Sequence, residues 1–408
     1  MSIQRAFVAL AGATVLSTSG TRLSAIAIPW LVLTTTGSPV LTGLAGFAEM
    51  APYVVAKALG GPLIDRIGAR RIAVWCDSLS MIAVALVPLL YWAGLLSIWV
   101  LLPAVALIGV LRAPSDAAKQ ALVPTVAALG KLPLERVTGV MGASDRLAGT
   151  LGAAAAGGLI ALLGPAPALL ANAMAFLLSA LVVGIGIPAR QAPAQMRDLS
   201  TTYRTELAEG WSVLRRDPVL RALVVMIAIT NLFDQAYATV LLPVWVRTSG
   251  LDVTWVGIFL AAFSGASIIG AGIAAVLGER MPRLAVYTIG FLFAGPMPMA
   301  IFAMDAAVPV LVAVLMVSGF AAGFLNPILG AILFERIPAA MVGRVIALFG
   351  ALAWALMPFG GLYAGLLVDN FGIAIALGTT GLLYLFATLA PVAVPSFRQM
   401  RRKPLVAA

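Results

Sequence analysis

The chain has 408 residues, 62% hydrophobic and only 10% charged, with a formal net charge of +10 and no histidine. A soluble chain averages about 45–50% apolar and about 25% charged, so this is the composition of a membrane protein, and the basic excess points to bilayer topology rather than to nucleic acid. A single cysteine, Cys76, excludes an internal disulfide framework and any CxxC metal site, and without histidine the commonest metal ligand and general base are missing.

Apolar runs bounded by Gly, Pro or charge predict twelve membrane spans, near 6–34, 40–62, 71–92, 98–123, 135–163, 167–188, 218–246, 252–277, 284–304, 308–333, 339–368 and 372–394. The first opens like a secretory signal, but Arg22 interrupts it and the apolar pattern runs on to Leu33, so it reads as a span. Sixteen of the Lys and Arg in the connecting segments fall on one side, together with both termini, and one, Arg247, on the other. This asymmetry predicts both termini in the cytoplasm and a multi-pass protein of the inner membrane.

The long connection 189–217 separates the sixth and seventh spans. Tyr203, Leu207, Trp211 and Leu214 recur in it at helical spacing, which predicts an amphipathic helix on the inner membrane surface or on the bundle. Asp217-Pro218 then reads as an N-cap followed by proline at the first helical position. The expected organisation is a six-helix bundle over 1–190, a linker over 191–217 and a second six-helix bundle over 218–408. The halves resemble each other. "RRIAVW" opening span three returns as "PRLAVY" opening span nine, and "RVTGVMG" opening span five returns as "RVIALFG" opening span eleven. Pro29 pairs with Pro243, and Gly157-Gly158 with Gly360-Gly361. Such a parallel repeat is the architecture of two-bundle transporters, with the substrate site between the halves.

Charge is scarce, yet "GPLIDRIGARR" between spans two and three concentrates it. The pattern Gly61-x-Leu63-x-Asp65-Arg66-x-Gly68-x-Arg70 resembles the signature loop of the major facilitator superfamily, with Ala69 where that pattern carries a basic residue. Gly61 permits close helix approach, Gly68 a tight turn, and a carboxylate such as Asp65 is stabilised beside a helix N-terminus. The resemblance implies a conformational latch in which Asp65 reaches the start of span eleven, "AAMVGRV", over 339–345. Asp77, two turns into span three from Arg70, is expected to brace this loop.

In span four, Arg112, Asp116 and Lys119 share one helix face. Arg112 lies about 18 Å in from Pro124 at roughly 1.5 Å per residue, near mid-membrane, where charge is costly and is paired or lines a cavity. The superfamily resemblance implies a part in proton coupling for Arg112; an Arg112–Asp116 pair fastening the bundle is the structural alternative. In span five, "GTLGAAAAGG" is similar to the antiporter signature of the superfamily at Gly149, Gly157 and Gly158, with Ala153-Ala154 where that signature has Gly-Pro. These small residues are expected to pack closely at the interface between the halves.

The other ionisable residues at depth are Arg22, Glu49, Lys57, Asp145, Arg146 and Asp234. With no histidine, a proton carrier has to be a carboxylate: Glu49, Asp116, Asp145 and Asp234 are the candidates. Glu49 and Asp234 have no opposite charge within one turn of their own helices, so Glu49 first and Asp234 second are expected to carry the proton, with Arg112 tuning its release.

The stretches "STSGTRLSAIAIPWLVLTTTGSPVLTGLAG" and "KQALVP" make the whole chain resemble the macrolide and siderophore exporters of the drug-efflux branch. That branch often has an acidic residue after the glycine of span one; here Thr21 and Arg22 follow Gly20, so Arg22 is a cavity residue without a carried-over coupling role. The reading is an all-α transporter of twelve helices in two bundles, expelling an amphipathic or lipophilic small molecule in exchange for protons. It is expected to work as a monomer in the bilayer, without cofactor, metal or nucleic acid. Uptake of a nutrient or solute by the same fold is the alternative, and a membrane-embedded enzyme or sensor is remoter, since no Walker A motif, metal cluster or nucleophile–base pair is visible.

Overall fold

A computed structural model describes residues 5–188, 203–277, 281–338 and 341–400, with the side chains of 60–62, 65, 134–136, 203–207 and 343 outside that description. Every described element is helical, as expected where each backbone polar group needs a partner within the membrane. The first seven helices are α1 (Arg5–Thr36), α2 (Pro39–Ile67), α3 (Ala69–Trp92), α4 (Ile98–Ala121), α5 (Val123–Gly130), α6 (Leu134–Leu163) and α7 (Pro165–Gly186). The linker helix is α8 (Tyr203–Arg216). Then come α9 (Pro218–Ala236), a π-helical turn Tyr237–Leu241, α10 (Leu242–Thr248), α11 (Thr254–Leu277), α12 (Arg283–Ala294) and α13 (Pro296–Ala303). The last are α14 (Val308–Ala322), α15 (Leu325–Arg336), α16 (Val342–Trp354), α17 (Met357–Phe371), α18 (Ile373–Thr388) and α19 (Ala390–Ala393).

All twelve expected spans are present. Eleven are long and apolar enough to cross a membrane by themselves. The twelfth is α1, a 32-residue helix in which Thr14, Ser17, Thr18, Ser19, Thr21, Arg22 and Ser24 dilute the apolar run. The later spans are jointed where the earlier ones are mostly continuous. Pro243 has no N–H to give, and the chain widens into the π turn just before it, with the Leu242 N–H bonding back to the Tyr237 carbonyl. Gly295-Pro296 breaks span nine between α12 and α13, and Gly323-Phe324 breaks span ten between α14 and α15.

Two compact units emerge from the packing. The first holds α1–α7 with Gln235–Ala261 and Pro358–Asn370; the second holds α8 through Asp234, Ala262–Met357 and the chain from Phe371. In the first unit, a core at the Gly68 end joins Leu10, Ile64, Ile72, Val126, Val137 and Val183. At its opposite end the helices meet backbone to backbone. Gly43 of α2 lies against the Gly361 carbonyl of α17, and a Cβ on Gly365 would sit 2.7 Å from the Pro39 carbonyl oxygen. Gly157 of α6 faces Gly257 of α11, where an added Cβ would be 3.1 Å from the Gly257 Cα. Arg247 donates to the carbonyl of Leu33, and the Phe47 and Phe359 rings are 5.5 Å apart.

In the second unit, α8 packs on α16. Leu214 is buried there, Gly210 faces Leu348, and Glu209 pairs with Arg344 at 2.8 Å. Of the two settings expected for the linker helix, the bundle is therefore the one observed. Asp217 caps α9 by accepting from the N–H groups of Val219 and Leu220 at 2.8 and 3.1 Å, with Pro218 at the first position.

Candidate functional site

The expected loop turns at Gly68. Its φ of 95° is a left-handed value that favours glycine, and it both ends α2, through N–H to the Ile64 carbonyl at 2.8 Å, and starts α3. Gly61 and Asp65 lie on α2 with side chains outside the described residues, and so do Ala339 and Ala340 at the start of span eleven. Arg66 is exposed. Arg70 turns to its own bundle, its guanidinium donating to the carbonyls of Gly184 and, at 2.6 Å, Ile187, where α7 leaves its last C=O groups unsatisfied.

Asp77 does not brace this loop. It is fully buried and accepts from Ser115 at 2.5 Å and Ser179 at 2.6 Å, with the Lys119 ammonium 2.7 Å away. Ser179 also reaches the Ala13 carbonyl at 3.1 Å, so one carboxylate ties α1, α3, α4 and α7. The reason is radial: two turns on from Arg70, the face of α3 that carries Asp77 looks into the bundle, while Arg70 sits at the helix entrance.

The mid-depth cluster is built on the α2–α4 contact. Gly109 of α4 lies against the Glu49 backbone carbonyl with no room for a Cβ, so the two helices run at backbone distance. Arg112, one turn on, then forms a buried ion pair with Glu49. Glu49 is therefore not without a counter-charge, and Arg112 pairs across helices instead of with Asp116. Its guanidinium sits 4.4 Å from the centroid of the Tyr53 ring. The Tyr53 hydroxyl donates to Asp116 at 3.1 Å, and Lys57 Nζ lies 5.6 Å from the same ring. Tyr53 is a member that sequence reasoning missed. Its signal was available: Glu49, Tyr53 and Lys57 recur every fourth residue on α2 and face Arg112 and Asp116 on α4.

A second group lies on α1 and α6. Thr18 donates to Asp145 at 2.8 Å, and Arg22 is within electrostatic reach of Asp145 and Arg112. Gly149 leaves room for Arg22, whose Nε is 3.6 Å from where a Cβ would be. Gly152 packs on Ser19, and Gly158 faces open space. Arg22 and Asp145 are exposed although both are well inside their helices, where a charge set against lipid would be costly.

In the second unit Asp234 stands halfway along span seven and is exposed. Tyr384 of α18 lies beside it, with Thr230 next to the same hydroxyl. No cation pairs with Asp234 among the described residues. Tyr384 is itself buried, its ring 5.8 Å from that of Phe233 and pressed against Gly295, where any side chain would overlap it. The Gly295-Pro296 break thus makes the space that lets Tyr384 reach Asp234. No group of ligands for a metal ion occurs among the described residues.

A twelve-span helical chain with a signature-like loop and ionisable clusters in separate halves matches a family model described as Major Facilitator Superfamily, over residues 10–356 and 224–406. The chain belongs to the Major Facilitator Superfamily. It is a multi-pass membrane transporter of small molecules, not an enzyme. Multidrug efflux pump Tap of Mycobacterium tuberculosis is 29% identical over 404 residues, spanning 96% of this chain and 94% of that protein. Macrolide efflux protein A of Streptococcus pyogenes is 23% identical over 360 residues, 85% of each chain. Among solved structures, the nucleoside transporter NupG superposes with a TM-score of 0.76 at 12% identity, over 96% of this chain and 99% of that one. A bacterial homologue of the iron transporter ferroportin in an inward-facing state superposes at 0.71 with 18% identity, covering 98% and 100%. At these identities the likeness is of fold.

Proposed function

We propose that this transporter exports an amphipathic or lipophilic small molecule in exchange for protons, by alternating access of its two halves. The observation that carries the coupling is Asp234: a carboxylate exposed at mid-span, beside Tyr384 and without a cationic partner among the described residues. Such a group can load a proton from one side and release it to the other, because neutralising it removes the cost of a lone charge at depth. The Tyr384 hydroxyl beside it is a donor suited to the ionised carboxylate. Glu49, first in the sequence reading, now ranks behind Asp234, since Arg112 occupies it. Asp145, beside Thr18 and Arg22, is the reserve candidate on the other half.

The names of the relatives support export and a broad substrate chemistry. The proton gradient drives the cycle without a cofactor, in a monomer embedded in the inner membrane. The Lys and Arg asymmetry supports both termini and the linker in the cytoplasm. The loop of Gly61, Asp65, Arg66, Gly68 and Arg70 acts as the latch, with Asp65 drawn to a helix N-terminus. Transport in proteoliposomes under an imposed pH gradient tests the reading. Asp234→Asn should still bind substrate but lose gradient-driven accumulation and its pH dependence, and Tyr384→Phe should weaken both. Normal accumulation and pH dependence in Asp234→Asn would remove Asp234 from the coupling.

A further inference from the structure

A cavity of about 390 Å³ opens on the second unit where the linker helix meets spans seven and eleven. Its wall is apolar: Trp211 and Leu214 from α8, Val224, Val225 and Ala228 from α9, and Leu352 from α16, with Arg215 and Arg221 completing the lining. Leu214 and Val224 form the buried floor, while Val225 is 55% and Trp211 49% exposed, so the groove is open sideways along the span. A volume of this size lies within the ~300–1,000 Å³ range of sites that hold small molecules.

Among the described residues, the charge at its rim is uncompensated. Arg221 donates to the backbone carbonyl of Arg215 at 3.5 Å, which brings the two cations to one edge. The acidic side chains described nearby are already engaged: Glu209 pairs with Arg344 and Asp217 with Arg336, each at 2.8 Å. Neither Arg215 nor Arg221 meets a carboxylate among the described residues, and both are exposed. Trp211 sits on the amphipathic helix beside them, the residue type that anchors at a membrane–water interface.

We propose that this groove is a binding site for one anionic phospholipid of the surrounding bilayer. An acyl chain fills the apolar slot along α9 and α16, and the phosphate is held by Arg215 and Arg221. The chemistry is complementary at both ends: the slot has no polar group needing water, and basic pockets at the ends of spans recognise anionic headgroups. A lipid there fastens the linker helix to the start of span seven, through Trp211 on one side and Val225 on the other.

Native mass spectrometry of the detergent-purified protein, given equimolar phosphatidylglycerol and phosphatidylcholine, tests this. The most tightly held lipid should be phosphatidylglycerol, preferred by roughly 30-fold, the equivalent of two charges at about 1 kcal/mol each. Arg215→Gln with Arg221→Gln should bring the preference to within about threefold, and the matching Lys pair should keep most of it. Val225→Trp, which fills the slot and leaves both arginines, should lower retention of both lipids. Glycerol 3-phosphate, which has the headgroup charge without the chains, should not displace the lipid. The proposal is overturned by equal retention of the two lipids in the unaltered protein, by an unchanged preference in the Gln pair, or by displacement with glycerol 3-phosphate. Should the Gln pair fail to fold, Val225→Trp decides: undiminished retention would also overturn it.

Discussion

Arg112 is the side chain whose removal should cost the first unit most. Its guanidinium is buried, paired with Glu49, stacked on Tyr53, and one turn from Asp116. Breaking a buried pair by removing one partner typically costs about 3–5 kcal/mol, because the other charge stays behind without compensation. The two ways of breaking this pair are not equivalent. Glu49→Gln leaves the cation on the Tyr53 face, worth about 0.5–2 kcal/mol, and within reach of Asp116, so a loss of about 1–3 kcal/mol is expected. Arg112→Gln strands Glu49 and weakens the hold on Asp116 together, and the loss should reach about 3–5 kcal/mol. Replacing both should cost less than the sum, with a coupling of about 1–3 kcal/mol. Denaturant midpoints of the four proteins in one detergent give the cycle. Equal losses for the two single variants, or strict additivity in the double, would refute the cross-helix assignment.

Gly43→Ala should lower both transport and the denaturant midpoint, since an added Cβ would overlap the Gly361 carbonyl and α17 would have to draw back from α2. Unchanged transport and midpoint in Gly43→Ala would show that this close approach does not matter. Asp77→Asn leaves the Lys119 ammonium buried beside a neutral amide, so the midpoint should fall by the equivalent of about 3–5 kcal/mol, while Lys119→Met with Asp77→Leu should recover much of it. A harmless Asp77→Asn would mean that the serine hydroxyls alone hold this junction.

Span number, helical class and the amphipathic linker were legible in the sequence because each is a local property. A run of about 20 apolar residues must be helical in a bilayer whatever surrounds it, and charge at its ends marks its boundaries. The cap at Asp217 and the turn at Gly68 are local in the same sense, set by a side chain or a φ angle within a few residues. Partnership was not legible. Arg112 has Asp116 one turn away on its own helix, yet binds Glu49, because Gly109 lets α2 come to backbone distance and puts the Glu49 carboxylate nearer. Asp77 looked like a brace for Arg70, yet closes a four-helix junction through Ser115, Ser179 and Lys119, residues that far sequence separations bring together. The helix breaks at Gly295-Pro296 and before Pro243 could be guessed from proline, but not that the first clears space for Tyr384 to reach Asp234. Which carboxylate stands without a cation is a sum over every neighbouring helix. Periodicity along one helix reports only the face it presents, and only packing decides what meets that face.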